Sequence, residues 1–412
     1  MNKNLILLKS FLVILIPPSL VIGPFLPDFF LSLSCVIFVF CNYFYLKNDI
    51  EFNNNIIIFL SLFFVYSLLR SILSDNILLS LESSLFYFRF ILFILLINFL
   101  IKNSSVFLNY FTLILFITVF VVSADGIFQL INNKNFIGMI KENPFRVSGL
   151  FGEEYKLGSF IVRMFPLLIG LILFTNLNNF KKNLLIFSIM VVSFLCVYIT
   201  GERTAIILII ISSMLLFILI KNIRIIMILS SFIFLLGFTY IYMFYENVFL
   251  RVFKKTINQI NLNSDEKINI FTKHHESIYT NAYLIFKDNP FFGIGPKMFR
   301  EICAKYEYSC SSHPHNYYLQ LSAELGIIGL IFIVIALFYM IYKIYFLRKN
   351  KFLLNQNELN LGLCCIITCL INLFPFIPSG NFFNNWLSIL MFIPLGFFLY
   401  INNIILKKNN IK

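Results

Sequence analysis

The sequence predicts an all-α integral membrane protein: about twelve transmembrane helices packed as one polytopic domain over residues 1–412, with one large loop at 245–315. Three observations carry this. Hydrophobic residues make up 59% of the chain and charged ones only 12%, which is not a water-soluble composition. Apolar runs of about twenty residues, long enough to cross a hydrocarbon core of roughly 30 Å, recur along the whole length. Basic residues also gather at alternate ends of those runs.

The expected spans are 5–23, 26–46, 55–74, 84–101, 106–131, 157–175, 183–200, 204–220, 223–244, 316–347, 359–378 and 383–403. The first is interrupted by Pro17-Pro18 and lacks a small-residue cleavage signal, so it reads as a retained span rather than a leader. Lys3, Lys9, Lys47, Lys102, Lys181, Lys182, Lys221, Arg224, Lys343, Arg348, Lys349, Lys351, Lys407, Lys408 and Lys412 mark one side. The positive-inside rule makes that side cytoplasmic and puts both termini there. The net charge of +13 is therefore a matter of topology and not a sign of nucleic acid binding.

Three segments on the opposite side break the apolar monotony. The first, 141–166, carries Arg146, Glu153, Glu154, Lys156 and Arg163 around Gly149 and Gly152. Arg163 falls inside the sixth span, where a charge is costly unless it faces a wet cavity or snorkels to the interface. The second, 198–207, is a tight turn with Glu202 and Arg203. Arg203 either anchors to headgroups or captures phosphate with its planar fork.

The third is the long connection 245–315, of a length uncommon in loops without a task. In FTKHHESIYTNAYLIFKDNP, 271–290, Ile278, Ala282 and Ile285 recur at helical spacing, so the stretch reads as an amphipathic helix on the outer leaflet, ended by Asp288-Asn289-Pro290. His274 and His275 lie on its polar face. A second short helix over 297–306 carries Arg300. Of eight cysteines, six lie in apolar spans, whereas Cys303 and Cys310 fall outside the membrane. No metal-ligand spacing accompanies that pair, so the expectation is a disulfide closing a short loop.

The loop leads into His313-Pro314-His315 and a helix from 316 onward. Asn316, Gln320 and Glu324 follow at i, i+4 and i+8, one polar stripe that must face protein or water rather than lipid. Gly326 and Gly329 are small enough for another helix to approach closely. A histidine pair at the mouth of a membrane helix is the candidate active centre. The chain carries no nucleophile elbow, no zinc-protease histidine pair, no phosphate-binding P-loop and no dinucleotide fingerprint. Arginines at an interface stabilise a diphosphate leaving group, and a neutral histidine accepts a proton from an attacking hydroxyl.

Four stretches in this order resemble the O-antigen ligase and O-antigen polymerase superfamily of bacterial envelope glycosyltransferases. They are RVSGLFGEE at 146–154, GERTA at 201–205, DNPFFGIGPKMFR at 288–300, and His315-Asn316 followed by nine residues, Gly326, two residues and Gly329. The resemblance implies transfer of a glycan from undecaprenyl diphosphate to an acceptor hydroxyl, on the periplasmic side of the bacterial inner membrane, without metal, nucleotide or other cofactor. The acceptor would be the lipid A core in a ligase, another carrier-linked glycan in a polymerase, or a protein in an oligosaccharyltransferase. His315 maps onto the family's general base and Arg203 onto its diphosphate-binding arginine. Where the family has a second arginine, this chain has Lys273, His274 and His275, so His275, Arg300, Arg146 or Arg163 must supply that charge. His313, Asn316 and Glu324 complete the expected substrate contacts. The competing class is a transporter or flippase of an anionic lipid-linked saccharide. It fits less well, because the charges crowd at one mouth rather than at the midplane of repeated halves.

Overall fold

The computed structural model describes residues 3–45, 54–254, 256–257 and 271–410. Lys47, Lys412 and the stretch 258–270 of the long loop, with residue 255, lie outside the described residues. Among the described residues the protein is helical, with one isolated bridge between Lys134 and Ile140. The helices are α1 (Lys3–Ile14), α2 (Ile16–Ile22), α3 (Phe25–Tyr45), α4 (Asn55–Ile72), α5 (Ile77–Ser84), α6 (Phe88–Asn103), α7 (Phe107–Asn132), α8 (Leu157–Phe174), α9 (Asn179–Ile199), α10 (Arg203–Leu219), α11 (Arg224–Phe244), α12 (Lys273–Asp288), α13 (Tyr317–Lys349), α14 (Gln356–Asn372) and α15 (Asn385–Asn410).

Ten described segments are long and apolar enough to cross a membrane, α1–α2 and α5–α6 each counting as one. The eighth and eleventh expected spans fall on α10 and α14, of 17 residues each. Ten described helices thus meet the length and apolarity of a crossing, and the expected count of twelve is not confirmed. The helix expected to run to 378 stops at Asn372, because Pro375 and Pro378 cannot continue it, and 373–384 becomes an irregular loop.

Helix α8 is buried along almost its whole length, and Gly170 lets its backbone meet Cys364 of α14. Small residues at a helix crossing permit this approach where lipid supplies no hydrophobic drive. Three lysines expected at the water boundary are instead buried. Lys182 Nζ donates to Leu173 O (2.8 Å), Lys343 Nζ donates to Asn402 Oδ1 (2.8 Å), and Lys9 Nζ stands over the Phe99 ring at 4.7 Å. Each ammonium is offset locally by a carbonyl, an amide or a ring face.

Two further expectations are corrected. The tenth span is not continuous: α13 breaks at Gly326, with φ 68° and ψ −160°, so 317–325 and 327–349 are separate helical pieces. No helix approaches Gly326. The loop 290–295 inserts there instead, with Ile327 N donating to Pro290 O (2.7 Å), Ile294 N to Ala323 O (3.1 Å) and Gly295 N to Glu324 O (2.8 Å). Arg70, in the last turn of α4, clamps the insert through Nη2 to Gly293 O at 2.7 Å. The amphipathic α12 does not lie on the leaflet. Ile278, Ala282 and Ile285 are fully buried against Met298, Phe299, Cys303 and Ala323, so its apolar stripe builds a small satellite core over the bundle end.

Candidate active site

The loop that carries the histidines is held from three directions. Cys303 and Cys310 are bonded, with Cα atoms 5.3 Å apart. From α12, Asn281 Nδ2 donates to Tyr308 O (3.1 Å) and Ser309 O (2.9 Å), and Ser277 Oγ accepts from Ser309 N (2.7 Å). From the far side, Ser379 N donates to His315 O at 2.8 Å. His315 itself adopts φ 56°, a left-handed conformation that non-glycine residues keep only where surroundings enforce it.

The polar stripe faces protein throughout. Asn316 caps α13, accepting from Tyr318 N (2.9 Å) and Leu319 N (3.2 Å), while its Nδ2 donates to Pro375 O (2.8 Å). Gln320 Nε2 donates to Glu324 Oε2 (3.0 Å) and Asn381 Oδ1 (2.9 Å), and Gln320 Oε1 accepts from Phe382 N (2.9 Å). Asn316 and Gln320 therefore rivet the 373–384 loop to the histidine helix.

The opposing wall is built by α8 and the turn before α10. Glu202 is 7% exposed and caps the N-terminus of α8, Oε1 accepting from Gly158 N (2.9 Å) and Oε2 from Ser159 N (3.2 Å). A carboxylate suits that position because the helix dipole is positive there. One turn on, Arg163 is 4% exposed; it donates through Nη1 to Asn372 Oδ1 (2.5 Å) and through Nε to Ser159 Oγ (3.2 Å). It does not snorkel. Arg146 stacks over the Tyr155 ring at 4.1 Å, and Lys156 over the Trp386 ring at 5.5 Å.

Between the walls lies a cavity of about 660 Å³. Its lining includes His313, His315, Arg146, Arg163, Arg300, Lys156 and Glu202, with Ser379, Gly380 and Asn381 of the riveted loop. Three guanidinium groups and the Lys156 ammonium, the latter paired with Glu154, thus share the lining with one carboxylate. Burial pushes Glu202 up to about 7, against the pull of the α8 amides and of Arg146 and Arg163. Burial pushes His313 down to about 3, helped by His315 and Arg300. His315 is lowered too, by burial first and then by His275 and His274. Both imidazoles are therefore neutral at pH 7.

Of the residues singled out in the sequence, the structure brings His315, His313, Arg146, Arg163 and Arg300 to this one cavity. Four others stand outside its lining. Arg203 points behind the wall, Nη2 donating to Arg251 O at 3.4 Å, although its neighbours Glu202 and Thr204 line the hollow. His275 approaches His315, with ring centroids 5.5 Å apart, and is bonded through Nδ1 to Thr272 Oγ1 at 2.6 Å. Asn316 is engaged by the helix cap and the 373–384 loop, and Glu324 Oε2 accepts from Gln320 Nε2. Glu324 is fully buried.

Residues missed from the sequence are Glu202 as a cap, Lys156, Trp386, the 378–384 part of the loop and Arg251. Arg251 Nε donates to Gly201 O at 2.9 Å, and its methylene packs where a Gly201 side chain would stand. Its one signal was Gly201, which has φ 63° and tolerates no Cβ. Among the described residues no group of three or more histidine, cysteine or acidic side chains is disposed to hold a metal ion. Chemically, the cavity offers a dense cationic face for a polyanion and a neutral imidazole for a proton.

Residues 188–334 match the family model described as O-antigen ligase. That segment runs from α9 through the turn at 200–202, the long loop and both histidines to beyond Gly326. No curated protein matches the chain.

Proposed function

We propose that this member of the O-antigen ligase and polymerase superfamily is a glycosyltransferase of the bacterial inner membrane. It moves a glycan from undecaprenyl diphosphate to an acceptor hydroxyl at the periplasmic end of the bundle. The observation that supports this is a single cavity carrying both a neutral histidine and a cluster of cations. Arg146, Arg163 and Arg300 hold the diphosphate, whose negative charge grows as the sugar departs. The bond from the sugar's anomeric carbon to the phosphate oxygen breaks, and its electron pair leaves on that oxygen. The acceptor oxygen forms the new bond to the same carbon and gives its proton to His315. Arg203 acts as a positioning residue, tying the segment at 251 against the turn whose Glu202 caps α8. The carrier's tail stays in the bilayer, so membrane lipid surrounds the donor throughout.

His315→Ala tests this reading. It should abolish glycan transfer while the protein still accumulates in membranes at normal levels; transfer at the parental rate would rule out the base assignment. The acceptor is read by complementation. Strains lacking a ligase accumulate carrier-linked polymer beside free lipid A core, and strains lacking a polymerase carry core with a single repeat. Restoration of one pattern identifies the reaction, and restoration of neither points to a protein acceptor.

A further inference from the structure

His313 lines the cavity beside His315, with ring centroids 4.1 Å apart and the planes inclined by 54°. Its Nδ1 lies 3.0 Å from Ser312 Oγ. Its Nε2 is buried and has no protein partner, the only imidazole nitrogen among the described residues in that condition. A buried polar atom without a partner is costly unless something else supplies the bond. The groups facing the ring are His315, Arg300 and, across His315, His275 and His274.

We propose that His313 is a second substrate-contacting histidine, a neutral hydrogen-bond donor to the diphosphate. Ser312 Oγ–H donates to Nδ1, which keeps the ring proton on Nε2, and Nε2–H donates to a phosphate oxygen. The inference rests on the reading that the cavity takes a diphosphate-linked donor. The two imidazoles then divide the work. His315 accepts the acceptor's proton, so it must start neutral; a charge on His313 at this separation would oppose that uptake. Burial and the Arg300 guanidinium hold His313 well below the usual histidine range, at about 3. His313 keeps its proton throughout. Its hydrogen bond strengthens as the anomeric carbon–oxygen bond breaks and the electron pair settles on the phosphate, so the stabilisation is greatest in the transition state.

Glutamine and asparagine separate this role from others. A glutamine amide reaches the Nε2 position and can donate there; asparagine reaches only Nδ1. Full-length variants are expressed in cells that make the lipid-linked glycan, and membrane turnover is read by mass spectrometry as undecaprenyl diphosphate released. His313→Gln should stay within about tenfold of the parent, while His313→Asn and His313→Ala should fall about a hundredfold in kcat with much smaller changes in KM for the donor. Protection of Cys303 and Cys310 from thiol labelling checks the loop. Equal loss in all three variants, or parental turnover in His313→Ala, overturns the inference. If His315→Ala is inactive while His313→Ala is unchanged, only the inference fails. If His315→Ala turns over normally, the functional reading itself has failed.

Discussion

Replacing Gly326 with alanine should be among the most damaging single changes in the chain, and its size follows from two terms. With φ 68° and ψ −160°, the backbone lies where a Cβ is strained, at about 1–3 kcal/mol. A Cβ there would also stand 2.6 Å from Phe292 N and closer still to the Phe291 carbonyl, both main-chain atoms that cannot swing aside. The insert must then withdraw, losing the three main-chain hydrogen bonds that Ile327, Ile294 and Gly295 donate. At about 1 kcal/mol each these add about 3, for a total of about 4–6 kcal/mol. Gly138 is the control: its φ is 88° but nothing lies within 4 Å of its Cβ, so Gly138→Ala should lose only about 1–2 kcal/mol. Thermal unfolding of the detergent-purified proteins compares the two. Hydrogen exchange over 288–300 should rise in Gly326→Ala alone, and transfer should fall because the insert no longer braces Ala323 and Glu324 of the helical piece that follows the histidines. Equal losses in the two variants would refute the close-approach argument.

The acid limb of kcat/KM for transfer should be centred below 6.5. His315 is lowered from the usual histidine value and acts only when neutral; a limb centred above 6.5 would exclude it as the base. Glu202→Ala should cut transfer by more than tenfold through loss of the α8 cap, whereas Glu202→Gln should retain more activity because its amide oxygen still accepts from Gly158 N; equal rates in the two variants would contradict the capping role. Cys303→Ser with Cys310→Ser should lower the melting temperature by a few degrees yet leave measurable transfer, since Asn281 and Ser277 still hold the loop. Complete inactivation would show those hydrogen bonds to be insufficient.

The sequence made some features legible because their causes are local. Apolar length set most of the spans, and the spacing of Ile278, Ala282 and Ile285 before Asp288-Asn289-Pro290 set α12. His313, His315, Arg146, Arg163 and Arg300 stood out because charge or imidazole beside a span is costly without a purpose. What escaped depends on distant partners. The break at Gly326 is caused by a loop more than thirty residues upstream, and the run from 316 reads as one helix without it. Asn316 looked like a ligand contact because the 373–384 loop that its amide holds is invisible along the chain. Arg203 was assigned to the diphosphate from its tight turn and the resemblance, yet its Nη2 donates to Arg251 O, a partner 48 residues on.

The chain has one tryptophan, and Trp386 belongs to the cavity wall, its indole N–H held by Leu20 O at 2.9 Å with the Lys156 ammonium over its face. Emission excited selectively at the indole therefore originates from a single, immobilised fluorophore beside the cation cluster. Titrating undecaprenyl diphosphate into the purified protein should shift or quench that emission as Lys156 reorients toward phosphate, so occupancy becomes readable by light without any label, acceptor or turnover.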